Sequence, residues 1–151
     1  MEMFWNILLM VGTFFLMEGA AWATHKYIMH GFLWSWHESH HRPHKSFLEK
    51  NDLFAVVFSV PAIILTVIGF EVPALAFCKW IGFGVTAYGI FYVVFHDIIV
   101  HRRVKIKFIA KSPYMKRMIR AHKIHHKHLH KDGAEAFGFL YAPKKFEGTL
   151  E

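Results

Sequence analysis

Ten of the thirteen histidines in this 151-residue chain fall into four short clusters. They read His25-Lys-Tyr-Ile-Met-His30, His37-Glu-Ser-His40-His41, His96-Asp-Ile-Ile-Val-His101 and His122-Lys-Ile-His125-His126. The order is H-x4-H then H-x2-HH, twice over. On an α-helix, positions i, i+3 and i+4 lie within about 100° of one another. Each H-x2-HH cluster therefore projects three imidazoles from one face, as a metal site requires. An H-x4-H pair is less tidy, with its rings about 140° apart around an α-helix and about 7.5 Å apart along it. Such a pair either straddles two metal ions or sits where a helix end is distorted.

Histidine-rich tails chelate metal loosely, but they form continuous low-complexity tracts. These clusters are separated by long apolar stretches, which points to a built site. Histidine-only coordination suits iron, copper, zinc or nickel better than magnesium or calcium. A structural zinc site closes with four ligands. Two six-coordinate ions offer about twelve positions. Ten nitrogens would fill most of these and leave room for an oxygen molecule. The expected metal ligands are His25, His30, His37, His40, His41, His96, His101, His122, His125 and His126. His44, His128 and His130 are left outside the set, and no catalytic residue beyond the ligands is expected.

Hydrophobic residues make up 54% of the chain, with 16 phenylalanines. Residues 4–23, 53–70 and 74–95 are apolar runs long enough to cross a bilayer as helices. Pro61 falls inside the second and should bend it. The first carries one charge, Glu18, an intramembrane carboxylate that either marks function or, near the helix end, finds water or a histidine partner. Ala21-Trp22-Ala23 imitates a signal cleavage site, but no basic segment precedes the apolar run. Asn51-Asp52 offers a helix N-cap, as does Ser112 with Pro113 behind it. Gly133 is a plausible helix stop. Residues 134–142 are apolar but too short to span, and are expected at the interface or packed on the site.

The parity of the crossings puts all four clusters on one membrane face. Of 18 Lys and Arg residues, only Lys79 lies toward the other face. The positive-inside rule then places the histidines and the C-terminus in the cytoplasm. This accounts for the net charge of +7 without nucleic acid as a partner. The single cysteine, Cys78, excludes an internal disulfide and thiolate clusters. No Walker loop or dinucleotide glycine fingerprint is present, so any reducing equivalents come from another protein. The fold class expected is all-α: an integral membrane helical protein with about three transmembrane helices and a cytoplasmic histidine-rich helical cap holding a dinuclear metal site. Residues 1–151 form a single membrane-embedded domain.

The four motifs, in this order and between these spans, resemble the fatty acid hydroxylase superfamily of membrane di-iron enzymes. The short length and the runs His37-Glu-Ser-His40-His41-Arg42-Pro43-His44 and Ile124-His125-His126-Lys127-His128 are most similar to its bacterial β-carotene 3-hydroxylase branch. The resemblance implies two iron ions and O2 as cofactors, with a carotenoid entering from the bilayer of the bacterial inner membrane. It implies a ferredoxin-type donor with its NAD(P)H reductase. The reaction would hydroxylate ring carbon 3, taking β-carotene to zeaxanthin via β-cryptoxanthin. Carbon 4 is allylic and carbon 3 is not, so the pocket must impose the position. Phe91, Tyr92 and Phe95 are candidate walls. Glu38, Asp97, Asp132 and Glu135 are candidate partners for the outer nitrogens of the ligand rings. Within the superfamily the alternatives are a fatty acid or sterol oxygenase or a carotenoid 4-ketolase. Outside enzymes, the alternative is a membrane metal transporter or buffer, which would place its ligands within the spans.

Overall fold

The computed structural model describes residues 1–42 and 46–148, and these contain helices and loops but no strand. Five α-helices carry the fold: α1 (Glu2–Ala23), α2 (Trp34–His41), α3 (Leu53–Glu71), α4 (Cys78–Tyr92) and α5 (Pro113–His125). Two of them continue into π-helical segments, Thr24–Phe32 after α1 and Val93–Val100 after α4. Three helical stretches are long and apolar enough to cross a membrane: Glu2–Phe32, Lys50–Glu71 and Cys78–Val100. Their outward faces are richly apolar, with Phe15, Leu16, Ile63 and Phe70 all exposed. Side chains of this kind suit lipid.

Helix α4 packs between α1 and α3. The contacts are close because glycines stand at the crossings. A Cβ on Gly82 would collide with Thr66 Oγ1 and lie 2.8 Å from the carbonyl of Ala62. A Cβ on Gly84 would lie 2.6 Å from the carbonyl of Met10 on α1. Helix α3 runs through Pro61 without interruption. Pro73 opens a 3₁₀ turn, Pro73–Leu75, ahead of α4 rather than α4 itself.

Helices α2 and α5 form the cap above this bundle. Ser112 caps α5 as expected, its hydroxyl accepting from the Met115 amide at 3.2 Å, with Pro113 in the first turn. Asn51 and Asp52 do not serve as the expected side-chain cap of α3. Asp52 instead closes a capping box with Glu49 over the turn Lys50–Asp52, and Asn51 is turned toward the histidines. Helix α5 ends at His125, well before Gly133, which occupies a left-handed turn with φ of 84°. Phe139, Ala142 and Phe146 then fold back and bury themselves against Tyr88, Phe95 and Met118.

Candidate metal centre

The π segments resolve the H-x4-H spacing. A π turn bonds residue i to i+5, so two side chains five apart come round to nearly the same side of the helix. The His101 amide donates to the His96 carbonyl at 2.9 Å, and the Leu33 amide to Ile28 at 3.0 Å. His25 and His30 consequently share one group, and His96 and His101 share another. Of the two readings the spacing left open, helix distortion is the one adopted, and neither pair straddles.

The straddling falls to the H-x2-HH clusters instead. His37 and His41, four apart, join His25, His30 and His125 in the first group. His40, between them, crosses to the second group with His96, His101, His122 and His126. On α5 and its cap residue the pattern is mirrored: His122 and His126 enter the second group and His125 the first. Each helix thus serves both groups, because residues three and four along subtend different angles on its face. The expectation of three rings serving one site from each helix is corrected accordingly.

Within each group the candidate ligand atoms lie within 4.8 Å of one another. In the first, Nε2 of His37 is 3.1 Å from that of His25 and 3.1 Å from that of His41. Nε2 of His125 is 3.2 Å from those of His30 and His41. In the second, the His40–His96, His101–His122 and His122–His126 Nε2 separations are 2.9, 3.0 and 2.9 Å. The groups abut, the rings of His41 and His126 stacking at 4.4 Å between centroids.

The outer nitrogens determine what these contacts are. The Nδ1 atoms of His25, His30, His41 and His125 face the carbonyls of Phe137, Lys131, His128 and Glu135 at 2.8 to 3.0 Å. Those of His37, His40 and His96 face Asn51 Oδ1, Glu49 Oε1 and Asp97 Oδ1 at 2.7, 2.9 and 2.7 Å. An oxygen there takes the ring proton and leaves Nε2 as a bare lone pair. Two such lone pairs about 3 Å apart cannot hydrogen-bond to each other. A cation between them relieves the repulsion, and nitrogens bound at roughly 2.1 Å on adjacent corners of its shell sit about 3 Å apart. The donor set therefore fits a pair of metal ions.

Burial favours the same protonation state. Desolvation lowers His37 to about 3, His41 to about 4 and His125 to about 2. It also holds His40, His122 and His126 well below the usual imidazole range, helped by neighbouring histidines. Neutral imidazole is the form that binds metal.

Several of the partners were not anticipated. Asp97 does orient a ring, that of its own neighbour His96. Glu38 pairs with Arg42 on the surface at 2.6 Å, and the Glu135 carboxylate meets Lys145, so neither carboxylate holds a ring. Glu49 and Asn51 do that work and were missed. A carboxylate and an amide about ten residues after a histidine cluster were the signal that could have found them. Ala136, with φ of 60°, makes the left-handed turn that sends the carbonyls on either side of it to His125 and His25. His128 contributes its backbone carbonyl, and neither its ring nor that of the exposed His130 belongs to a group. His44 lies outside the described residues.

Below the histidines an apolar cavity of about 570 Å³ runs between α1, α3 and α4. Its upper end is formed by His25, Asn51, Asp97, Tyr92 and Phe139. Tyr92 stacks on His96 at 4.5 Å. The Phe139 ring lies 5.7 Å from His25, 5.4 Å from His96 and 5.8 Å from His122, touching both groups. Lining residues Ser59 and Ile63 of α3 and Gly89 and Ile90 of α4 are exposed, so the cavity opens sideways between these helices. Tyr92 is a wall as expected. Phe91 and Phe95 are not, and stack on each other at 5.8 Å in the core. Glu18 is neither unpaired nor a histidine partner. It accepts from the Tyr88 hydroxyl at 2.7 Å and from the Phe139 and Leu140 amides at 2.8 and 2.9 Å.

Membrane-length helices beneath ten inward-turned imidazoles define a helical membrane-type protein with a polyhistidine centre suited to metal. The chain belongs to the fatty acid hydroxylase family, whose model matches residues 10–143. It is 45% identical to the β-carotene hydroxylase of Pantoea ananas over 148 residues, covering 97% of this chain and 83% of that one. It is 44% identical to the β-carotene hydroxylase of Paracoccus sp. (strain N81106 / MBIC 01143), over 91% of this chain and 85% of that one. A chloroplastic β-carotene hydroxylase 1 of Capsicum annuum is 40% identical over 99% of this chain, which matches 48% of that longer protein. No solved structure matches the chain.

Proposed function

We propose that this chain is a β-carotene 3-hydroxylase that uses O2 at a di-iron centre held by the ten clustered histidines. The observation that carries this reading is the apolar cavity that ends on His25, Tyr92 and Phe139 beneath the histidine groups. Its apolar lining suits a lipophilic ring, and the bacterial relatives bear the name β-carotene hydroxylase. Two irons bound there supply the activation of dioxygen. The overall change balances as C–H plus O2, two electrons and two protons to C–OH plus water.

The chain's own residues do the rest. The Nδ1 contacts fix the imidazoles of His25, His30, His37, His40, His41, His96 and His125 in one tautomer and orientation. Tyr92 and Phe139 close the top of the cavity to water and press the ring against the histidine face. Since carbon 4 has the weaker C–H bond, attack at carbon 3 requires that these walls hold the ring in one pose. The electrons come from another protein, which the resemblance to the fatty acid hydroxylase superfamily implies is a ferredoxin-type donor with its NAD(P)H reductase. The basic residues on the histidine side orient that side toward the cytoplasm, in a bacterial inner membrane.

The test is production of the chain in cells that accumulate β-carotene. The expected products are yellow zeaxanthin and its intermediate β-cryptoxanthin. An orange ketone would make the protein a 4-ketolase, and unchanged β-carotene beside a metal-loaded protein would reject a carotenoid substrate.

A further inference from the structure

The two histidine groups are built alike from five imidazoles but are backed by different charges. Around the first group, every Nδ1 acceptor is neutral: the carbonyls of Phe137, Lys131, His128 and Glu135, and the amide of Asn51. Around the second, two rings donate to carboxylates. His40 faces Glu49 at 2.9 Å, with both side chains almost wholly buried at 2% and 3% exposure. His96 faces Asp97 at 2.7 Å. Arg103 ties the carboxylates together, lying 3.0 Å from Glu49, 3.3 Å from Asp97 and 2.8 Å from Asp52. Among the described residues, the acceptors behind this group thus include two carboxylates, held with Asp52 by Arg103. The acceptors of the other group carry no charge, and Asp132 acts on His30 electrostatically without bonding to its ring.

We infer that the two groups take up metal with unequal affinity, and that the tighter is His40, His96, His101, His122 and His126. The inference rests on the dinuclear reading of the site. An anionic acceptor draws the ring proton toward itself and makes the opposite nitrogen a stronger donor. Buried negative charge also attracts a dication with little screening. Against this stands His122 Nδ1, buried with no partner among the described residues, which gains no such help. One unassisted ring does not cancel two carboxylate-backed ones. Glu49 and Asp97 bind no metal in this scheme, although Asp97 also borders the cavity. They are positioning residues that act through His40 and His96, and Arg103 fixes their geometry.

The full chain in detergent, stripped of metal by a chelator, is titrated calorimetrically with Co²⁺. Two equivalents should bind, the first at least about tenfold tighter than the second. Asp97→Asn and Glu49→Gln keep shape and an acceptor oxygen but remove charge. Each should weaken the tight equivalent by about 10- to 100-fold, the range seen for outer partners of metal-bound histidines, and leave the weak one within a few-fold. Replacement of a ligand in each group assigns the steps: His122→Ala should abolish the tight one, His125→Ala the weak one. Equal affinities, or neutral variants that weaken both steps alike, would overturn the inference while leaving the dinuclear reading intact. Failure to bind two equivalents would overturn both.

Discussion

His41 and His128 are joined by one hydrogen bond, and only one of them should matter as a side chain. The His41 Nδ1 faces the backbone carbonyl of His128, which survives replacement of the ring. His128→Ala should therefore keep metal content and leave turnover within a few-fold. His41→Ala should deplete metal and abolish turnover. Metal per protein and hydroxylated product, measured on both variants, check this pair. Glu18 poses a second test at this scale. Its loss to alanine strands the Phe139 and Leu140 amides and the Tyr88 hydroxyl inside the bundle, at about 1–3 kcal/mol for each unsatisfied group. The loop around Gly138, where a Cβ would come within 2.6 Å of the carboxylate, should then loosen and release Phe139 from the histidine face. Glu18→Ala should lower the melting temperature and leak product to carbon 4. Glu18→Gln retains an acceptor for the amides and should restore most of both. A variant that is destabilised with unchanged product position would confine Glu18 to a structural role. The clustered histidines were legible in the sequence because their type and spacing are distinctive. Four of the groups that orient them are backbone carbonyls, which carry no residue signature at all.

The elements were legible where length and hydropathy decide them. Three apolar runs became three membrane-length helices, and the Ser112-Pro113 start of α5 followed from capping chemistry. The π segments were not readable as such, because H-x4-H is consistent with several distortions and only packing selects one. Phe91 and Phe95 show a similar limit. Their spacing places them near the third cluster, but which face of α4 meets the cavity depends on how α1 and α3 pack around it. That face carries Gly89, the one glycine among the cavity's lining residues. Apart from its own stretch of helix, no described atom lies within 4 Å of a Cβ placed there, unlike at Gly82 or Gly84. A mid-helix glycine costs roughly 1 kcal/mol relative to alanine. Gly89→Ala should therefore hold or raise stability. Gly89→Leu should fill the groove and raise KM for β-carotene about tenfold or more, with metal content unchanged. Unaltered KM in the leucine variant would show that substrate does not lie along this groove.

For the whole molecule, the distribution of charge makes the simplest claim. A reporter fused after Glu151 should be active only if it reads out the cytoplasm, and periplasmic activity would overturn the proposed orientation. The shape of the cavity has a further consequence, for how the two ends of one substrate are treated. Its histidine end is closed by Tyr92 and Phe139, and its open side lies between α3 and α4. A carotenoid with a ring at each end can seat one ring while the other trails toward the bilayer. To present the second ring the molecule must back out, turn end for end and enter again. Catalysis on β-carotene should then be distributive rather than processive. Labelled β-cryptoxanthin added during turnover should mix fully with the intermediate made from unlabelled β-carotene, and zeaxanthin formed without such mixing would mean that both rings are reached in a single binding event.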